Sequence, residues 1–338
     1  MPGSPKTRTI LWTAPRCVST AFERAVCELG MVLAEESGHG DGGATSAVRV
    51  HHEPFGHPFY YHAAERGSLR FAPESGTPSF GDVQAAIEAP VAGAAEHVFV
   101  KDMAYYMRGR LSQPIFAGED ALTTHAFLIR HPAKTVPSLH RGCCSAPDYG
   151  PFDPKESGFV ELLEVFKHVT GTLGQQAVVV DADDLLDAPK EVLQAFCARV
   201  GLPWREACLS WTPGVVPPGW EAWPGWHDDA INSDGLRARV PAASDGTSPA
   251  KRGKYESELA LPEVAAAVAE AVPIYEELRR HCAPGVPHGH GTEVTESGDT
   301  YVGFSLHAKK HGKGKLSRAD GSSYEGDWAK GIPDGLGI

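Results

Sequence analysis

Residues 10–25 read ILWTAPRCVSTAFERA. Ile10, Leu11 and Trp12 form a short apolar run of the kind that becomes a buried strand. From Ser19 the apolar residues recur at helical spacing, and Gly30 reads as the helix stop. The junction between strand and helix carries Arg16, Ser19 and Thr20. A helix N-terminus presents unpaired amides and a partial positive charge, a natural seat for a phosphate-like anion. Arg16 adds a fixed planar cation, and the two hydroxyls add donors. The competing reading is that Ser19 only caps the helix. No GxxxxGK[ST] pattern occurs, so this is not a standard triphosphate loop.

The chain of 338 residues has room for one large domain, or one domain and a small module. Hydrophobic residues make up 42% and charged residues 22%, which permits a packed core and argues against general disorder. The formal net charge of −12 excludes a typical nucleic-acid binder, although local arginines can still hold a small anion. The cysteine count of seven is odd and no CxxC pair occurs, as expected of a reduced intracellular protein. The opening MPGSPKTRTILW lacks a signal-peptide core, and no apolar run reaches membrane-spanning length. The chain therefore reads as cytoplasmic.

Three further core-strand candidates follow: HVFVKDM from His97, HAFLIRHP from His125, and QAVVVDADDLL running into the helix PKEVLQAFCARVG. Strands alternating with helices predict an α/β three-layer sandwich around a mostly parallel sheet. The stretch Trp211–Trp226, rich in Trp, Pro and Gly, reads as an irregular wall. A long helix, LPEVAAAVAEAVPIYEELRRHC, closes this domain, with a bend expected at Pro273.

A second anion motif lies in LIRHPAKTVPSLHR, residues 128–141. Arg130 ends a strand and Ser138 follows eight residues later, with Pro132 and Pro137 setting the turn between them. The two stretches together resemble the sulfotransferase family that uses 3′-phosphoadenosine 5′-phosphosulfate (PAPS). That family's 5′-phosphosulfate loop, roughly PRSGST, corresponds to Pro15-Arg16-Cys17-Val18-Ser19-Thr20. Its 3′-phosphate motif, roughly RxPxxxxxS, corresponds to Arg130, Pro132 and Ser138. Its late basic-glycine element corresponds to Lys251-Arg252-Gly253. The resemblance covers residues 8–282 and implies the P-loop NTPase-like sulfotransferase fold, PAPS as donor, 3′,5′-adenosine bisphosphate (PAP) as product, and no metal. Two departures stand out. Cys17 and Val18 replace Ser-Gly, and Lys101-Asp102-Met103 lacks the histidine base of many members.

Sulfuryl transfer needs positive charge at the leaving phosphate and a group to take the acceptor's proton. Arg16 and Lys101 are suited to the first task. For the second, VHHEPFGHPFYYH (residues 50–62) offers Glu53, with His52 as second choice and Asp102 as a partner for Lys101. The plain alternative is that Glu53 pairs with a structural arginine. The histidines lack HExxH or Cys/His spacing, which weighs against a metal centre. Trp211, Trp220, Trp223 and Trp226, with Tyr105 and Tyr106, are candidate walls for a small-molecule acceptor bearing a hydroxyl or amine.

The tail repeats itself. His288-Gly289-His290-Gly291, His311-Gly312-Lys313-Gly314 and Asp334-Gly335-Leu336-Gly337 recur with one fixed spacing, and Tyr301-Val302-Gly303 matches Tyr324-Glu325-Gly326. Such a period with Gly, Tyr and Trp at set places reads as β-hairpins. It resembles the MORN repeat, with Ser305 where the pattern has Trp and Trp328 matching it. The expected organisation is a sulfotransferase-like domain over 1–282 and about two repeats over 283–338, read as part of a longer array, with a lipid or protein partner open to them. Two other functions stay open: a small-molecule kinase, against which the missing triphosphate loop argues, and an inactive nucleotide-binding scaffold targeted by the repeats.

Overall fold

The computed structural model describes residues 4–38, 46–91, 95–113, 122–146, 149–239, 255–282, 289–295, 297–306, 309–329 and 331–334. The chain divides into two compact units, Met1–Cys282 and Ala283–Ile338.

The first unit runs β1 (Thr7–Thr13), α1 (Ser19–Glu36), β2 (Val48–His52), α2 (Gly56–Tyr61), α3 (Phe80–Glu88), β3 (His97–Met103), β4 (Thr123–Ile129), α4 (Pro132–Ser145), α5 (Phe159–Lys167), β5 (Val178–Asp181), α6 (Ala182–Asp187), α7 (Pro189–Val200), α8 (Asp228–Ile231), α9 (Glu256–Leu259) and α10 (Pro262–Arg279). Its sheet has the order β2-β3-β1-β4-β5, and every neighbouring pair is parallel. The predicted α/β architecture is present. Strands covered on both faces read as nearly unbroken apolar runs. Accordingly β1 and β3 are buried almost throughout, and Trp12, Phe22, Phe99 and Phe127 are fully enclosed. Each such side chain contributes about 1.5–3 kcal/mol of burial free energy.

Register decides what meets at the site. Thr13 lies level with both Met103 and Leu128, so β1, β3 and β4 end at one height. His52 on the edge strand β2 is aligned with Lys101 on β3. The carboxyl ends of a parallel sheet are where such folds bind ligands.

Three local expectations are corrected. α1 does not stop at Gly30 but continues to Glu36. A Cβ at Gly30 would lie 2.1 Å from Ser46 Oγ, so this glycine is needed for the close pass of the chain entering β2. Pro137 does not sit in a turn: α4 starts at Pro132 and Pro137 lies inside it. α10 runs as one helix across Pro273, as expected of the long closing helix. β2 itself was not read as a strand, because VRVHH shows neither an apolar run nor clean alternation.

In the second unit β6 (Gly289–Val294), β7 (Thr300–Leu306), β8 (Lys309–Ser317), β9 (Ser323–Ala329) and β10 (Ile332–Asp334) form an antiparallel meander in sequence order. Buried Tyr301 meets Trp328 edge-on with centroids 5.3 Å apart. A Cβ on Gly314 would lie 2.2 Å from the Tyr301 hydroxyl, so the repeat's glycine makes the slot that its tyrosine fills.

Candidate active site

The loop after β1 takes an unusual path. Among the described residues three non-glycines have positive φ: Arg16 at 66°, Val18 at 67° and Glu53 at 43°. All three border one cavity of about 460 Å³. For a β-branched residue such a φ is strained, and strain of this kind gathers at functional sites. Val18 stands where the family loop has glycine, and its backbone is left-handed. It also occupies the N-cap of α1 with no side-chain hydrogen bond. Ser19 is therefore the first helical residue and not the cap. Ser19 and Thr20 both border the cavity, while Cys17 is wholly buried and burial pushes its thiol up to about 12.

The two predicted anion motifs meet. Arg16 Nε donates to Ser138 Oγ at 3.1 Å, and Arg130 Nη1 donates to the Arg16 carbonyl at 3.3 Å. Burial pulls the Arg16 guanidinium below its ordinary value. Asp229 opposes this and Arg130, a like charge, adds to it. Arg16 also lies over the Trp226 ring at 5.8 Å. The Arg130 Nε is buried without a hydrogen bond, and Asp183 Oδ1 is 3.7 Å away. Lys134 at 2.8 Å and Arg239 at 3.1 Å also hold Asp183. Burial alone would raise the Asp183 carboxyl, but Lys134, Arg130 and Arg239 outweigh it and hold it low. Two arginines on one wall suit a polyanionic ligand. Lys251, Arg252 and Gly253 lie outside the described residues.

Beside this wall is a buried charge cluster. Lys101 is wholly enclosed and donates to Glu53 Oε1. Glu53 Oε2 accepts from the Tyr106 hydroxyl at 3.1 Å. Burial would raise the Glu53 carboxyl, but Lys101, His52 and His227 outweigh it and hold it at about 2. His52 does not border the cavity. Its Nδ1 lies 2.8 Å from Glu23 Oε2 and its Nε2 lies 3.0 Å from His227 Nε2. Glu23, wholly buried on α1, also accepts from Trp220 Nε1 at 3.1 Å and lies 3.7 Å from Lys101 Nζ. His227 does border the cavity, and its Nδ1 is 3.4 Å from Thr20 Oγ1. Burial, Lys101 and His52 pull the His227 imidazole down to about 3, so it is neutral. Asp102 is not hydrogen-bonded to Lys101. It accepts from the amides of Phe55 and Met103, each at 2.9 Å, and so pins the turn that carries Glu53.

Glu23 and His227 were missed in the sequence. Glu23 sits on a helix whose pattern reads as amphipathic, and His227 follows a Trp-rich stretch far along the chain. Of that stretch, Trp223 and Trp226 border the cavity together with Tyr105 and Tyr106. Trp220 instead serves Glu23, and Trp211 donates to Ser233 Oγ at 3.1 Å.

Among the described residues one set of atoms has metal-ligand spacing: His52, Glu53 and His227 bring ligand atoms within 4.8 Å of one another. Lys101 occupies the Glu53 oxygen, and the imidazole nitrogens face each other and Glu23. An ion would have to displace an ammonium and break this string, so the donor set does not fit one.

A family model described as sulfotransferase domain matches residues 48–241, and MORN repeat models match 285–300, 301–323 and 324–338. The repeat count is thus three matched segments against about two expected. The branched-chain-amino-acid aminotransferase-like proteins 2 and 1 of Arabidopsis thaliana are 26% and 27% identical over 114 residues, 33% of this chain. The match spans 19% of the length of these curated relatives. Among solved structures, the sulfotransferase domain from the Synechococcus PCC 7002 olefin synthase is 15% identical with a TM-score of 0.38, covering 79% of this chain and 95% of that one. The sulfotransferase domain from the curacin biosynthetic pathway is 14% identical with a TM-score of 0.35, covering 80% and 97%. Among the described residues no helix is long and apolar enough to cross a membrane.

Proposed function

The chain belongs to the sulfotransferase domain family and carries MORN repeats in its tail, and from that premise we propose that it moves a sulfuryl group from PAPS to a hydroxyl or amine of a small-molecule acceptor. One observation carries the choice of donor: Arg16 and Arg130 share a wall at the mouth of α1, and Ser138 is hydrogen-bonded to Arg16. Arg16, Ser19, Thr20 and the first amides of α1 would hold the 5′ end. Arg130 and Ser138 would hold the 3′-phosphate, the group that distinguishes PAPS from ATP. When bound, PAPS supplies the sulfuryl group and a phosphate leaving group. Lys101 is wholly enclosed against Glu53 and Glu23 and supports Glu53 from behind, so the positive charge facing the anion comes from Arg16 and Arg130. Trp223, Trp226, Tyr105 and Tyr106 provide apolar faces for the acceptor.

Glu53 borders the same cavity and is ionised at neutral pH, as a proton acceptor must be. A carboxyl held at about 2 by Lys101 is nevertheless a weak final resting place for a proton.

The test is calorimetric titration of the whole chain with PAP, AMP and ATP, repeated on Arg130→Ala. PAP should bind and ATP should not. A charge-assisted hydrogen bond is worth about 1.5–3 kcal/mol, so Arg130→Ala should weaken PAP by about 10- to 100-fold and leave AMP nearly unchanged. ATP binding as well as PAP would move the reading to a kinase. Absence of PAP binding would refute the donor assignment.

A further inference from the structure

The buried string behind the cavity has a direction. Trp220 Nε1 can only donate, so Glu23 Oε1 accepts from it, at 3.1 Å. Glu23 Oε2 then faces His52 Nδ1 at 2.8 Å, with the Lys101 ammonium 3.7 Å away. A carboxylate placed there accepts, which puts the His52 hydrogen on Nδ1. With one hydrogen on each imidazole, His52 Nε2 is a lone pair, and the hydrogen in its 3.0 Å contact belongs to His227 Nε2. His227 Nδ1 is therefore a lone pair on the cavity side. The Thr20 hydroxyl lies 3.4 Å from it, too far for a strong hydrogen bond. An acceptor hydroxyl entering the cavity competes for that same lone pair.

The cluster also has a charge to fill. Glu23 and Glu53 are two buried carboxylates facing one buried ammonium, Lys101. Arg16 also acts on His227, more weakly than Lys101. That excess of buried negative charge favours uptake of the one proton that the acceptor gives up. Glu53 is the carboxylate that Lys101 neutralises, which leaves the Glu23–His52 pair as the place for that proton.

Resting on the sulfotransferase reading, we propose that His227 is the group that takes the acceptor's proton, with His52 and Glu23 as the relay that stores it. As the acceptor oxygen forms its bond to sulfur, the bond from sulfur to the donor phosphate oxygen breaks and that phosphate keeps the electron pair. The acceptor's O–H proton passes to His227 Nδ1. The hydrogen on His227 Nε2 passes to His52 Nε2, and the excess proton comes to rest between His52 Nδ1 and Glu23 Oε2. His227 ends neutral with its hydrogen moved from one nitrogen to the other. Its low proton affinity is then no obstacle, because an imidazolium at His227 never accumulates. His52 and Glu23 act only through His227 and are positioning residues.

Glu23→Gln tests this without changing size. Trp220 N–H fixes the glutamine oxygen, so the amide NH₂ faces His52 Nδ1 and makes it the acceptor. The hydrogens along the string then reverse, and His227 Nδ1 carries one. In ¹⁵N-histidine-labelled full chain, with His227 identified by its absence from His227→Asn, ring-nitrogen spectra should show Nδ1 unprotonated in wild type and protonated in Glu23→Gln. The spectra need no acceptor. Reverse transfer from an alkyl sulfate to PAP, whose basic alkoxide leaving group needs the proton, should lose kcat by about 10²–10⁴-fold in Glu23→Gln, the usual contribution of a positioned proton donor or acceptor, with PAP affinity and KM held. A protonated Nδ1 in wild type would overturn the proposal, as would full kcat in Glu23→Gln. If Glu23→Gln fails to fold, the wild-type spectrum still decides the hydrogen order. If wild type does not bind PAP, the donor reading fails, whatever the spectra show.

Discussion

Lys101→Met tests the electrostatic heart of the site. Methionine keeps most of the side chain's volume and removes its charge. Lys101 is wholly enclosed, donates to Glu53 and lies 3.7 Å from Glu23. Removing one partner of a buried ion pair costs about 3–5 kcal/mol, because the other charge is left without compensation. The Glu53 carboxyl leads to a similar figure: its fall from 4.5 to about 2 corresponds to about 3 kcal/mol in favour of the ionised folded state. For a domain of this size the melting temperature should drop by about 10 °C. Denaturant unfolding followed by tryptophan fluorescence reports the first unit, since Trp328 alone lies in the second. The pH dependence fixes the cause. In wild type the depressed Glu53 contributes stability above pH 4.5, and this is lost as pH falls toward about 2. In Lys101→Met burial acts unopposed by Lys101 and raises Glu53, so its penalty is present at neutral pH and fades on acidification. The gap between the two proteins should close as pH falls. Adding Glu53→Gln should restore more than half of the loss. A cost below about 1 kcal/mol, a gap independent of pH, or strict additivity in the double variant would refute the reasoning.

At the strained loop, Val18→Gly should be more stable than Val18→Ala by about 1 kcal/mol, the reverse of their usual order, because alanine keeps the left-handed cost and glycine removes it; equal or inverted stabilities in denaturant melts would show a relaxed backbone there. In the repeats, Gly314→Ala places a Cβ 2.2 Å from the Tyr301 hydroxyl and should cost about 1–3 kcal/mol. Hydrogen exchange should then accelerate across β7, β8 and β9 while β1 and β3 keep their protection. Unchanged exchange in β7 would mean that the glycine is not needed for close approach.

Much of the cofactor side was legible because it is local. Arg16, Ser19 and Thr20 lie within five residues at one strand-to-helix junction, and short-range rules for helix ends are enough to read them. Arg130 and Ser138 belong to a second such junction. The aligned ends of β1 and β4 then bring the two together. Local rules failed where a long-range contact overrode them. Gly30 reads as a stop until the segment entering β2 passes against it. VRVHH does not read as a strand until β3 is beside it.

Composition and local pattern in the sequence determined an α/β domain, two anion motifs and a repeated tail, since strands, helix starts and glycine-tyrosine spacing each depend on neighbours along the chain. Only the tertiary structure decided which side chains share a proton. Glu23, His52, Trp220 and His227 come from α1, β2 and the wall after α7, separated by up to 204 residues between Glu23 and His227. His52 and Trp220 stand out locally for other roles and Glu23 and His227 not at all, because a hydrogen-bonded string is defined by distances across the fold. Lys101 is the same case. Its charge is visible in any reading of the sequence, but its burial between two carboxylates depends on the register of β2 against β3.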